Sequence, residues 1–316
     1  MANHSKEREN GVANADEAGK KLIILAGGTG NLGQNIAVYL IDAGASVRAL
    51  VRTGSSTDQI ANLRKMGAII QEVDYNDPEK LMQGCIGGSC IVSALSGVRD
   101  VIVDLQTKLL HAALGAGVPR FIPSDYCIDY TKLAYGTNRN LDLRREFAER
   151  LDNASIKATS ILNGMFTDLL TGAAPVILFG LKRVVYWGNA DQLLDFTTMD
   201  NTALFTARAA LDNTTPRFLR IAGEVTNIHG LKRSASEATG RNFKLFRAGG
   251  LGGLQRMIKI TRALFPKKDE VFPPWQGMQY LHNMFSGLPK LNPRDNDRYD
   301  GLQWTSVREV LEKRAE

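Results

Sequence analysis

A chain of 316 residues, 44% of them hydrophobic, can bury a full core as one large domain or two modest ones. Its formal charge of +6 is mild; a phosphate-rich cofactor accounts for it, and nucleic acid is not implied as a partner. No apolar span is long enough for a transmembrane helix, so no membrane partner is expected, and the three cysteines (Cys85, Cys90, Cys127) lack metal-ligand spacing, which leaves core or near-surface thiols in a reducing compartment.

Residues 1–20 are polar and mixed in charge, with no apolar core for a signal peptide; they read as a flexible tail on a cytoplasmic protein. Residues 21–52 then read as strand, glycine turn, helix, strand. Leu22 to Leu25 form the apolar run of a strand buried on both faces. Gly27, Gly28, Gly30 and Gly33 follow, and Ile36, Ala37, Leu40 and Ile41 recur at helical spacing before Gly44. In a dinucleotide site one glycine makes the tight turn, one admits the pyrophosphate, and one lets helix and strand pack closely. The helix start then offers its amides to the phosphates. At the end of the second strand, where an NAD site usually has an acidic residue, the chain has Arg52, followed by Thr53, Ser55 and Ser56. A guanidinium there suits a 2′-phosphate, which points to NADP(H).

Further along, Asp58 to Met66 reads as a helix, Ala68 to Val73 as a strand, and Asp77-Pro78 as a helix start. Cys90 to Leu95 is an apolar strand ending in Ser93, Ala94 and Leu95, small enough for a cofactor to lie close, or simply a turn. Arg99 to Gly117 reads as one long helix, and Phe121 to Pro123 as a fifth strand. Strands alternating with helices at this rhythm argue for a doubly wound parallel α/β sheet. Ser124 to Asn140 is irregular and lies past the carboxyl end of that strand, where catalytic groups gather in this architecture. Leu141 to Leu151 reads as a helix, Lys157 to Leu162 as a strand, and Asn163 to Phe166 as the opening of a loop and a short helix.

The rhythm then weakens. Val184 to Gly188, Phe196 to Thr198, Arg217 to Ile221 and Phe243 to Phe246 look β-like, and helices are expected at 200–211 with Asp200 as cap, 226–239, 251–264 and 304–313. Residues 241–268 contain several arginines and lysines and no acidic residue; they form either a solvated basic face or a surface for an acidic substrate or partner. The aromatic-rich stretch 271–291 is either core or the lining of a pocket.

Several stretches together carry a family resemblance: Ala26 to Gly33, Leu50-Val51-Arg52, Arg120-Phe121-Ile122-Pro123-Ser124-Asp125-Tyr126, Thr198 to Asn201, and Asp297 to Tyr299 running into Trp304 to Glu309. The chain resembles the NmrA-like and isoflavone-reductase-like branch of the atypical short-chain dehydrogenases. The resemblance implies a Rossmann-type domain over 21–165, with parts of 196–222 returning to it, and a smaller α+β substrate domain mostly in 166–316. It implies NADP(H) on Gly27, Gly30, Asn31, Leu32, Gly33 and Arg52, with Ser93, Ala94, Leu95, Pro123 and Ser124 beside it.

Active members of the branch reduce carbonyl, enone or aryl-ether substrates; others bind the cofactor without known turnover and act as redox-sensing regulators with a protein partner. A homodimer is compatible with either. The Tyr-x-x-x-Lys pair of the classical enzymes is absent here, and the helix region Thr137 to Arg145 lacks the lysine of the isoflavone-reductase-like enzymes. Tyr126, Tyr130, Lys132 and Arg139 remain the candidate proton donors or oxyanion holders. Two functions stay open: an NADPH-dependent reductase of a small molecule, and a cofactor-sensing regulator.

Overall fold

The apolar run after Lys21 becomes strand β1 (Leu22–Ala26) at the centre of a parallel sheet. The computed structural model describes residues 20–315, so the tail expected over residues 1–20 lies outside it except for Lys20. Helix α1 (Asn31–Asp42) leads to β2 (Ser46–Arg52), α2 (Thr57–Met66) to β3 (Ile69–Val73), and α3 (Pro78–Cys85) to β4 (Cys90–Ser93). Pro78 is at the first helical position and Asp77 caps it, accepting from the Lys80 amide at 3.1 Å.

The helix expected from Arg99 begins differently. Asp100–Leu105 is a wide π-helical turn, and the regular helix α4 spans only Gln106–Gly115. Strand β5 (Arg120–Ile122), helix α5 (Arg139–Asp152) and β6 (Lys157–Ala158) complete a six-stranded sheet in the order β3-β2-β1-β4-β5-β6. This is a Rossmann-type doubly wound arrangement. Side chains alternate across it. Ile23 and Leu25 pack in one cluster with Ile36 and Leu40 of α1, while Ile24 and Ala26 pack in another with Leu109, Leu110 and Phe147.

The strand expected at Lys157 to Leu162 is broken at Thr159. Its second half, β7 (Ser160–Leu162), leaves β5 for a later neighbour. The short helix expected after Asn163 is preceded by a two-residue strand, β8 (Met165–Phe166), and is itself a 3-10 turn over Thr167–Thr171. Next come β9 (Ile177–Leu178), β10 (Arg183–Trp187), β11 (Leu194–Thr197) and α6 (Met199–Leu211). Strand β12 (Phe218–Arg220) pairs in parallel with β7. The remaining elements are β13 (Glu224–Thr226), α7 (Ile228–Thr239), β14 (Lys244–Gly249), α8 (Leu251–Leu264), α9 (Pro274–Ser286) and α10 (Val307–Ala315). A further core cluster gathers Trp187, Phe196, Leu231, Leu254, Phe285 and Leu311 from these later elements.

Helix α6 is capped two residues earlier than its sequence suggests, at Thr198 rather than Asp200. The Thr198 hydroxyl accepts from the Asn201 amide at 3.0 Å, while Asp200 accepts from the Tyr39 hydroxyl at 2.6 Å. At its other end, the buried Arg120 of β5 donates to the carbonyls of Ala210 and Ala209 at 2.7 and 2.9 Å, and to Thr215 Oγ1 at 2.9 Å. A cation on the last carbonyls of a helix satisfies orphan acceptors and the negative end of the dipole together.

Asp212, just beyond, fixes the returning chain. It accepts from Arg298 Nη2 at 2.7 Å and from the Tyr299 hydroxyl at 2.9 Å. Burial alone would raise its carboxyl, but bonds from Thr214, Arg298 and Tyr299 outweigh that and hold it well below the ordinary value of 3.8. Because the folded value lies below the unfolded one, this contribution is complete above the ordinary value and is lost as pH falls through it towards the folded value. Thermal melts across pH should therefore show wild-type stability dropping below about pH 5. Asp212→Asn should start lower at neutral pH and lose less on acidification; parallel curves for the two proteins would refute the assignment.

Among the described residues no helix is long and apolar enough to cross a membrane, and no group of His, Cys, Asp and Glu is arranged to hold a metal ion. The three cysteines are buried. Burial pushes the Cys85 and Cys90 thiols up to about 12 each.

Candidate functional site

The turn between β1 and α1 supplies a cradle for a phosphate. Gly27 has φ of +80°, and a Cβ there would lie 2.6 Å from the Ala94 carbonyl carbon, so only glycine lets this turn press against the loop after β4. A Cβ on Gly33 would lie 2.2 Å from the Gly27 carbonyl oxygen, which explains the third glycine as a helix-to-strand contact. Gly30 differs: its backbone φ is −82° and a Cβ would meet only Gly27 O at 3.5 Å. The protein does not need a glycine at that position, so the space it keeps clear suits a ligand.

Gly30 also begins α1 without any side-chain cap, and the first turn holds no acidic residue. The amides of Asn31, Leu32 and Gly33 are thus the uncapped donors of a helix N-terminus, the usual seat of a pyrophosphate. Ser93, in register with Ala26 at the end of β4, has a buried hydroxyl with no partner. These features fit a dinucleotide.

Arg52 ends β2 on the same edge of the sheet and is exposed. The chain turns immediately after it, the Ser55 amide donating to the Arg52 carbonyl at 3.0 Å. Thr53, Ser55 and Ser56 follow in that turn, and an exposed guanidinium with hydroxyl-bearing residues close in sequence suits a 2′-phosphate.

The loops after β4 and β5 are fastened to each other through Ser124. Its hydroxyl donates to the Leu95 carbonyl at 2.6 Å, its amide donates to Gln106 Oε1 at 3.1 Å, and its carbonyl accepts from Arg144 Nε at 3.1 Å. Leu95, Pro123 and Ser124 thus form one rigid rim with Ala94. Sequence reasoning missed both Gln106 and Arg144. Gln106 left a faint signal, a polar residue inside the apolar stripe of α4; Arg144 left none, since a charged residue on a helix reads as solvent-facing.

The four candidate proton-transfer residues are spread out. Tyr126 is buried against the α1 and α6 side, its hydroxyl facing Thr206 without a well-formed hydrogen bond, and burial raises its phenol. Tyr130, also buried, donates to Asp125 Oδ2 at 2.8 Å and stacks edge-on against Phe218; burial, then the Asp125 charge, push it well up. The same Asp125 oxygen accepts from Ser160 Oγ at 2.7 Å. Burial raises the Asp125 carboxyl despite these bonds. Lys132 donates to the Lys290 carbonyl at 2.6 Å and lies 3.6 Å from Asp129. Arg139 lies over the Trp275 ring at 4.8 Å and donates to the carbonyls of Lys268, Glu270 and Val271.

Of these four, Arg139 lines a cleft. A cleft of about 360 Å³ runs along α5, lined by Arg139, Asp142, Leu143 and Glu146 at helical spacing, with Arg99 from the loop after β4 and Arg262 and Gln279 from α8 and α9. Arg99 pairs with Glu146 across it. The aromatic-rich stretch contributes little to this lining. Trp275, Leu281, Met284 and Phe285 of α9 are buried, which makes the stretch mainly core.

Comparison with known proteins agrees with this fold. A model described as the NmrA-like family matches residues 19–241. Pinoresinol reductase 2 of Arabidopsis thaliana is 26% identical over 61% of this chain, the match spanning 65% of that protein's own length. The solved structure of AtPrR2 with NADP+ and (+)pinoresinol superposes with a TM-score of 0.77 at 20% identity, covering 93% of this chain and 98% of that one. The leucoanthocyanidin reductase–NADPH complex from Vitis vinifera gives 0.75 at 18% identity over 93% and 99% of the two chains.

Proposed function

Because the chain belongs to the NmrA-like family, we propose that it is an NADPH-dependent oxidoreductase acting on a small carbonyl, enone or aromatic substrate. Its cofactor is NADP(H). The observation that carries this reading is the uncapped start of α1 behind a glycine the protein itself does not need, with Arg52 on the same edge. Relatives solved with NADP+ and NADPH support it.

The chain's own contributions follow from the site. Gly27, Gly30 and Gly33 let backbone amides meet the pyrophosphate, Arg52 selects the 2′-phosphate, and the Ser124 knot holds Ala94, Leu95 and Pro123 as a fixed wall. Bound NADPH supplies a hydride. The cleft along α5 receives the substrate, with Arg139 and Arg99 as cations near a developing oxyanion. Tyr126, Tyr130 and Lys132 stay in this proposal as proton sources, alongside water.

A specific observation favours a second reading, an NADP(H)-sensing regulator. Tyr130, Lys132 and Arg139 are each committed to partners inside the protein, and the Tyr126 hydroxyl is buried. Such a protein would respond to the cofactor's redox state through differential affinity and pass the change to a protein partner. Titration with NADPH and NADH, followed by absorbance loss with quinones, enones, aryl aldehydes and a lignan such as pinoresinol, separates the two. The reductase reading expects tight NADPH binding and turnover of at least one class. Tight binding with no turnover on any of them favours the sensor instead.

A further inference from the structure

The outward face of α8 has no place in either reading. Residues 241–268 contain eight lysines and arginines and no acidic residue. The inner face of α8 is anchored: Leu254 and Ile258 are buried, and Arg262 lies 5.0 Å over the Trp275 ring. Met257, Ile260 and Leu264 recur at helical spacing along the outer face and are 39%, 60% and 67% exposed. Arg256 and Lys259 are exposed beside them. Phe265 extends the ridge past the helix end at 55% exposure. Apolar side chains this open are normally scattered singly; a ridge of them edged by cations marks a contact surface.

We propose that α8 docks the protein onto an anionic lipid surface, with the Met257, Ile260 and Leu264 ridge in the headgroup layer and Arg256 and Lys259 on lipid phosphates. The charge selects this occupant. A second copy of the chain, meeting the same face across a twofold axis, would set cations against cations. A nucleic acid would satisfy the cations and leave the ridge in water. A folded acidic partner needs a groove matched to the protruding Leu264 and Phe265, whereas a fluid interface takes them without a preformed shape. A helix lying on a bilayer does not cross it, so the expectation of no membrane partner narrows to the absence of a crossing helix among the described residues.

The test is co-sedimentation of the full chain with vesicles of phosphatidylcholine alone or mixed with phosphatidylglycerol, at low and high salt. Binding should be roughly tenfold or more tighter to the anionic vesicles and weaken with salt. It should be lost in the double variant I260D with L264D and in R256E with K259E. Unchanged NADPH affinity in both variants shows that they are folded and keeps this result independent of the reductase assay. Equal partition onto neutral and anionic vesicles overturns the proposal, as does wild-type binding by the I260D, L264D variant. Binding to polyglutamate as tight as to vesicles reassigns the face to an acidic protein. A dimer in light scattering that I260D with L264D abolishes reassigns it to a second copy.

Discussion

Gly33→Ala is expected to weaken NADPH binding about 100-fold, roughly 2.7 kcal/mol, and to lower the melting temperature by roughly 5–10 °C. The added Cβ would lie 2.2 Å from the Gly27 carbonyl oxygen and 2.8 Å from Gly28 Cα. Both are backbone atoms, so no side-chain rotation relieves the clash, and α1 must shift off β1. The amides that face the pyrophosphate shift with it. Gly30→Ala is the informative companion, because its Cβ finds only Gly27 O at 3.5 Å. It should melt like the wild type yet bind NADPH more weakly, since the methyl takes ligand space rather than protein space. Calorimetric titration beside thermal melts measures both. Wild-type affinity in Gly33→Ala, or in a well-folded Gly30→Ala, would remove the cofactor site from this turn.

Arg52→Glu should separate the two nicotinamide dinucleotides. Arg52 is at the exposed end of β2, and no acidic side chain pairs with it among the described residues. A charge-assisted bond to a phosphate contributes about 1.5–3 kcal/mol, and reversal adds repulsion. NADPH affinity should therefore fall by about 100-fold or more, while NADH, which has no 2′-phosphate, changes little. Equal weakening of both would mean that Arg52 supports the turn rather than reading the phosphate. Since Arg52 is exposed, the melting temperature should move little.

How much of this was legible in the sequence differs by element. The apolar run of β1, the glycines and the periodic face of α1 agree with one another at every level, so this part could be read directly. Helix α8 also runs from Leu251 to Leu264 as its spacing implied. The short strands β8, β9 and β13 were missed because segments of two or three residues have no period of their own. They exist only through partners such as Phe196, which aligns with both Met165 and Glu224. The cap of α6 was misassigned because Thr198 and Asp200 are both good caps, and the contact with Tyr39 that occupies Asp200 comes from far along the chain. Arg120 and Arg144 were hidden for a related reason: a charged residue signals solvent until the carbonyls that receive it are known.

The glycine half of the candidate site was therefore readable from local chemistry alone. The cleft proposed for the substrate was not, because it is assembled from α5, α8, α9 and the loop after β4, which no local pattern brings together.

The knot at Ser124 bears on how such a protein can be altered. One residue uses its amide, hydroxyl and carbonyl to bind α4, the loop after β4 and α5 at once. A loop transplanted from a relative would thus arrive without its fastenings unless Leu95, Gln106, Ser124 and Arg144 travelled as a block. The far wall of the cleft, to which α8 and α9 contribute Arg262 and Gln279, can vary without touching the knot.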